Sequence, residues 1–240
     1  DGAKAVVPFA DQAQQIIVSA RTSGNVDDEA GISLFIVPAG TAGLSLRAYG
    51  NVDGTRAAEV AFSQVRVPAS ALLGAEGQGH ATLEHAVGRG LLALAAESLG
   101  AMEVCKKATI EYLQTRKQFG RELCEFQGLQ WKLADMSIKL SASRALVYNA
   151  ARSGEGGFPD MLMAAQAKVF TSESAIQIVN EALQFFGARG YSRELPLERM
   201  ARDVRMFTIG GGTAEVLRNV VAGALLKKKL PQTRDGWAKD

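Results

Sequence analysis

The chain has 240 residues, 47% of them apolar and 22% charged, with a formal net charge of +2. That balance is ordinary for a globular protein and leaves no electrostatic footprint for nucleic acid or an acidic membrane surface. Two cysteines, Cys105 and Cys124, cannot frame a disulfide scaffold, and two histidines, His80 and His85, lack ligand spacing, so no metal site is expected. No apolar run reaches the roughly 18 residues of a membrane span, so none is expected.

The length allows one large or two small domains, and a monomer of this size buries roughly 70% of its unfolded surface. Residues 1–75 are expected to form a small antiparallel β domain. Gln15–Ala20 and Ile32–Pro38 are apolar runs of strand length, bounded by Ser23-Gly24-Asn25 and by the glycines 40 and 43. Glu59–Phe62 and Val65–Val67 alternate as half-buried strands do, and Pro68 closes the last of them.

From about residue 78 the period becomes helical, and residues 76–240 are expected to form a C-terminal helical bundle domain. A first helix covers 82–115, where Gly88, Gly90 and Gly100 each cost about 1 kcal/mol relative to alanine. Gly120 marks a break. A second helix spans 126–152, with Phe126, Leu129, Leu133, Met136 and Leu140 in one stripe facing a core. A third spans 160–186 and stops at Gly187, and a short helix follows near 196–206. The last begins after Gly210-Gly211-Gly212, with Thr213 as its cap, and ends before Lys227-Lys228-Lys229. That run is the cationic end of a helix. The fold class expected is α+β: a β domain followed by an up-down four-helix bundle with a short extra helix.

Some motifs read simply. Gly74, Gly77 and Gly79 lack dinucleotide-fingerprint spacing. Met136, Phe185 and Phe186 are core candidates, Cys105 is a small packing residue, and His85 sits on a helix surface or interface. Three clusters ask for more: Arg116-Lys117-Gln118-Phe119-Gly120, Gln184–Tyr191, and Ile209–Glu215. Each sets glycine beside polar groups at a helix terminus. From the residues alone, helix caps and a phosphate seat both remain open.

Those clusters, in that order, resemble the acyl-CoA dehydrogenase family of flavoproteins. The resemblance rests on RKQFG at 116–120, Phe126-Gln127, QFFGARGY at 184–191 and RDVRMFTIGGGT at 202–213. The β half adds ADQAQQIIVSART, GISLFIVP and VAFSQVRVPASALLG. The family fold has an N-terminal helical domain, a middle β domain and a C-terminal bundle, and this chain supplies the last two. The resemblance therefore implies a fragment, a split gene product or one subunit of a divided enzyme. The opening Asp1-Gly2-Ala3, without Met, agrees with that expectation.

The resemblance implies FAD between the β domain and the bundle, with its adenine end reaching a neighbouring subunit. Arg116 would meet the pyrophosphate, as a guanidinium suits. Gln118 and Phe119 would flank the cofactor, Gln127, Gln184 and Gly187 would line its adenine part, and Thr213 and Glu215 would reach it from the last helix. Gly212 and Arg89 fall where the family contacts substrate. A dimer or tetramer, homo- or hetero-oligomeric through the bundle, is implied, as are an electron-transfer flavoprotein partner and a cytoplasmic location, or the mitochondrial matrix in a eukaryote.

The family reaction is α,β-dehydrogenation of an acyl-CoA thioester, with a carboxylate base and hydride transfer to flavin. The family places its glutamate at one of two positions, here Gly211 and Gly90. Glu97, about 10 Å along the helix from Gly90, is the nearest same-face carboxylate. Beside the flavin ring the family often has Trp-Ile-Thr/Ser, where this chain has Lys4–Phe9. Two readings follow: a dehydrogenase with another base, or a non-catalytic subunit that completes the FAD site of a mixed assembly.

Overall fold

A computed structural model of the chain describes residues 1–154 and 156–228. The chain divides into two compact units, Asp1–Ala86 and Val87–Asp240.

The first unit holds two three-stranded antiparallel sheets. One has the order β1-β5-β4, from Gly2–Pro8, Arg56–Phe62 and Leu44–Gly50. The other has the order β2-β3-β6, from Gln15–Arg21, Ile32–Pro38 and Leu72–Leu73. Strands β2 and β3 pair along their full length, from Gln15 opposite Pro38 to Arg21 opposite Ile32. Ala10, Ala58 and Val60 form a small core with Val7, Leu44, Leu46 and Phe62 from one sheet and Ile16 from the other. Two of the expected strands are present as β2 and β3, and Glu59–Phe62 is the second half of β5.

Val65–Val67 is different. It alternates in burial but pairs with nothing, and it leads through Pro68 into a single 3-10 turn at Ala69–Ala71. Gln64 at φ 51 turns the chain out of β5, and Pro68 has no N–H to give a ladder. Strands β1 and β4 had no counterpart among the expected elements. In β1 the register slips between Lys4 and Val7, and Val6 sits at φ 52, the extra residue of a bulge.

Helix α1 runs unbroken from Gly79 to Thr115, 37 residues or about 55 Å. Its first residue must be glycine, because a Cβ there would lie 2.9 Å from the Ile32 carbonyl oxygen and from Leu34 Cγ. The interior glycines do not interrupt it. Gly88 is buried against Pro159 and Met161, which a Cβ there would meet at 3.7 to 3.9 Å.

The second unit continues with a hairpin, β7 at Lys117–Gln118 and β8 at Arg121–Glu122. Helices α2 (Gln127–Arg152) and α3 (Met161–Phe186) then pack antiparallel, as the Lys132–Glu181 ion pair at 2.5 Å and the Asn149–Met163 contact show. A one-turn α4 (Ala188–Tyr191), α5 (Leu197–Phe207) and α6 (Ala214–Leu226) complete it. Asp160 caps α3 by accepting from Met163 N, and Thr213 caps α6 by accepting from Val216 N. Lys227 closes α6 in the left-handed conformation, and Lys229 lies outside the described residues.

Helix α3 is the centre of this unit, with contacts to α2, α4, α5 and α6. Ala175, Ile178, Val179 and Ala182 share one core with Met102 and Leu113 of α1 and with Met136 and Leu140 of α2. The Glu103–Arg144 pair ties α1 to α2 at the surface. The fold is therefore α+β: small antiparallel sheets, then an up-down helical bundle.

Cys105 is buried in the bundle core beside Met200, and burial pushes its thiol up to about 12. Cys124 is half-buried; burial, and then the Glu122 carboxylate, raise it too. Iodoacetamide is expected to label Cys124 slowly in the native protein and Cys105 only after unfolding, because the thiolate is the reactive form. Peptide mass spectrometry reads this directly, and native labelling of Cys105 would contradict its burial.

Candidate functional site

The first two clusters meet at one end of the helical unit. Arg116 follows the last residue of α1, and its carbonyl accepts from Leu123 N, closing the β7–β8 hairpin. Phe119 and Gly120 form the tip at φ 55 and 80. Phe119 is 92% exposed, touching Phe126 edge-on at 6.4 Å. The Arg121 guanidinium lies 3.9 Å over the Phe126 ring. Arg116, Gln118 and Gln127 are exposed around this tip, with the Gln118 amide donating to the Lys117 carbonyl.

The second cluster is joined to the first by a ring stack. Tyr112 of α1 lies against Phe186 of α3 at 4.1 Å and 13°. Gly187 ends α3 at φ 57, its N–H donating to the Gln184 carbonyl, and the chain turns into α4. Gln184 and Gly187 are both exposed. This end thus presents an exposed phenylalanine, cations and amide donors. The set suits a ligand with a flat ring and anionic groups.

The third cluster lies elsewhere. The Gly210–Gly212 turn packs against α1 at Leu91 and Leu94. Leu91 and Tyr112 are 21 residues apart on one helix, about 32 Å. The structure therefore brings together Arg116, Gln118, Phe119, Gln127, Gln184 and Gly187, and sets Gly211, Gly212, Thr213 and Glu215 apart from them.

Around this turn the geometry is tightly specified. Ala214 N donates to the Thr208 carbonyl at 2.9 Å, and Gly210 N to the Met206 carbonyl at 2.9 Å. The buried Lys168 ammonium donates to the Gly212 carbonyl at 2.7 Å. A cleft of about 410 Å³ opens beside it, with Glu173, Gln177, Arg205, Thr208, Thr213 and Glu215 on its walls. Glu215 is held below the usual carboxylate range, first by its own backbone N–H and then by the Thr213 hydroxyl, with Arg218 and Arg205 adding smaller pulls against a burial cost.

A depressed carboxyl stabilises the fold at pH values above its unfolded pKa, about 4.3, and that stabilisation is lost as pH falls through the lower folded value. Glu215→Gln is expected to weaken the protein at pH 7 and to match the parent at strongly acid pH. Urea unfolding at the two pH values checks this; an equal deficit at both would assign the effect to packing.

Neither expected base position carries an acid. Gly90 lies exposed on α1, and a Cβ there would meet nothing within 4 Å. Gly211 is at φ 70, and a Cβ there would stand 3.0 Å from Leu91 Cδ2 and 3.4 Å from Leu94 Cδ1. Glu97 is exposed on α1, seven residues beyond Gly90. Arg89 points about 100° round the helix from Gly90. Its Nε donates to the Gly157 carbonyl at 3.2 Å and its guanidinium lies 4.1 Å over Phe158. Among the described residues no group of three His, Cys, Asp or Glu side chains could hold a metal ion. No helix of the described residues is long and apolar enough to cross a membrane.

Two features had no place in the reading of the sequence. The Tyr112–Phe186 stack joins residues far apart in the chain. Lys168 is a cation in an alanine-rich helical face, Ala164-Ala165-Gln166-Ala167-Lys168. A lone lysine among small residues was the available signal.

Residues 77–226 match the family described as acyl-CoA dehydrogenase, C-terminal domain. Over 191 residues the chain is 48% identical to a 3-sulfinopropanoyl-CoA desulfinase of Variovorax paradoxus, covering 78% of this chain and 48% of the relative. Among solved structures it is similar to butyryl-CoA dehydrogenase from Megasphaera elsdenii, with a TM-score of 0.85 and 37% identity, covering 94% of this chain and 60% of the other. A structure described as PigA with FAD and proline matches at a TM-score of 0.84 and 28% identity, covering 91% of this chain and 57% of that one. The chain spans about half the length of the desulfinase it matches.

Proposed function

The chain belongs to the acyl-CoA dehydrogenase family, and from that premise we propose that it forms part of an FAD-binding flavoprotein that cleaves a carbon–sulfur bond in a 3-sulfinoacyl-CoA thioester. The observation that carries this reading is the glycine at both base positions. At 211 the backbone sits at φ 70, and a Cβ there would press on the Leu91 side chain at 3.0 Å. At 90 the room is open, and Glu97 is about 10 Å away along the helix. Removing an α proton needs a base within hydrogen-bond reach of it. Loss of a sulfinate group from C3 makes no such demand on these positions.

The reaction balances without an external oxidant. The C3–S bond breaks, water supplies a hydrogen to C3 and an oxygen to sulfur, and the products are the saturated acyl-CoA and hydrogen sulfite. No electrons leave the protein, so this reading requires no electron-transfer flavoprotein. The 48% identity to a desulfinase supports it.

FAD, when bound, supplies the family with a flavin ring able to accept a hydride. In this chain Arg116 would hold the pyrophosphate by paired donors, with Gln118, Phe119, Gln127, Gln184 and Gly187 about the adenine end. Thr213 and Glu215 would meet the cofactor from the start of α6. The two groups lie about 32 Å apart along α1. We therefore assign them to two different cofactors, each completed by a second chain in a homo- or hetero-oligomer of the bundle.

The test uses the flavin-loaded protein under anaerobic conditions. With 3-sulfinopropanoyl-CoA, sulfite release without loss of flavin colour is the expected result. Bleaching by butyryl-CoA without sulfite release from the sulfinate substrate would establish dehydrogenation instead. Neither signal, with flavin bound, would leave the chain as a site-completing subunit.

A further inference from the structure

Lys168 is fully buried in α3. Among the described residues it is the one charged side chain in the buried set. A buried ammonium carries a large desolvation cost unless paired, so its position needs a reason. Its ammonium donates to a carbonyl in the third motif, Gly212 O at 2.7 Å. Desolvation lowers its pKa, while Glu215 of α6 and Glu173 of α3 act in the opposite sense.

The loop it meets is intrinsically loose. Three consecutive glycines have more backbone freedom to lose than any other tripeptide, and Gly211 and Gly212 sit at φ 70 and 100. Beside the apolar packing of Ala164, Ala165 and Leu217, α3 and α6 share the Glu173–Arg218 ion pair, at 2.7 and 2.8 Å but about half exposed, and exposed ion pairs hold little. The buried ammonium reaches the loop one residue before the Thr213 cap and three before Glu215.

We propose that Lys168 is a positioning residue that tethers the Gly210–Gly212 loop to α3 and so fixes Thr213 and Glu215 where they meet the cofactor. Its purpose rests on the FAD reading above; the tether itself does not. Removing the ammonium leaves the Gly212 carbonyl without its buried donor, and leaves the turn held only by the Gly210 N–Met206 O and Ala214 N–Thr208 O bonds at its ends.

The experiment is hydrogen–deuterium exchange on the whole protein, with FAD affinity measured in parallel by flavin absorbance. Lys168→Met keeps an unbranched apolar stem, one atom shorter, and removes the donor and the charge. Lys168→Gln has the same reach, keeps an uncharged N–H donor and is measured where the Met variant does not fold. Ile178→Ala, a core truncation on the same helix, controls for general loosening of α3. The expected result is exchange at least tenfold faster across Gly210–Val216 in Lys168→Met, severalfold in Lys168→Gln, with Gly187–Tyr191 unchanged. FAD affinity falls about tenfold alongside, while Ile178→Ala retains FAD. Unchanged exchange at 210–216, or an equal rise in all segments as in Ile178→Ala, would overturn the tether. A loosened loop with unchanged FAD affinity would uphold the tether and remove Thr213 and Glu215 from the cofactor site.

Discussion

Gly90→Glu is expected to give a flavoprotein whose colour is bleached by a saturated acyl-CoA at least about 100-fold faster than that of the parent, since a positioned general base contributes about 10²–10⁴. The substitution is expected to fold, because the position is helical and a Cβ there meets nothing within 4 Å. It should even gain roughly 0.5 kcal/mol of helix propensity. Gly211→Glu is the contrasting case. Its backbone sits at φ 70, which side chains rarely adopt, and its Cβ would press on Leu91 at 3.0 Å. Strain of that kind costs on the order of 1–3 kcal/mol, and Leu91 is fully buried with Ala164, Ala165 and Leu217. The Gly211 variant should lose stability without gaining the reaction. Stopped-flow absorbance with butyryl-CoA, beside thermal melts of both variants, decides the matter. Equal bleaching rates in Gly90→Glu and the parent would show that the substrate's α carbon does not lie near α1.

Ile178→Ala is expected to carry the largest stability loss among aliphatic core truncations of α3. Ile178 is almost wholly buried and shares its cluster with residues of α1, α2 and α5. Deleting those carbons removes their transfer free energy and leaves a cavity bounded by several helices, none of which can close it alone. The cost for such a change is about 2–5 kcal/mol. At about 2–4 °C per kcal/mol for a chain of this size, a loss near 3 kcal/mol lowers the midpoint by about 6–12 °C. Differential scanning calorimetry measures it. A shift under about 2 °C would mean that the helices around Ile178 collapse readily, contrary to a rigidly packed core.

Much of this architecture was legible because helices declare themselves locally. The Leu129, Leu133, Met136, Leu140 stripe and the Thr213 cap are written within a few residues of where they act. The sheets were less legible. Strand β4 alternates as Leu44-Ser45-Leu46-Arg47, but its pairing with β5 is non-local and its flanking turns are short. β1 hides its period behind the bulge at Val6. Val65–Val67 shows the converse: its alternation is real, yet a strand also needs a neighbour with free N–H and C=O groups. The candidate site was legible as three motifs, not as a geometry. Sequence order places Gln184 nearer to Thr213 than to Arg116, whereas the Tyr112–Phe186 stack reverses that. Lys168 is not legible from the sequence, because a lysine on a helix is ordinarily at the surface, and only packing shows otherwise.

The placement of the two residue groups at distant points of α1 has a genetic consequence. If each cofactor is completed by two chains, a lesion at Arg116 and a lesion at Thr213 damage different halves of every site. Homo-oligomers of either variant then contain no intact site. A mixed pair of one variant with the other contains one site bearing both lesions and one bearing neither. Co-expression of two inactive alleles should therefore restore part of the flavin content that each alone has lost.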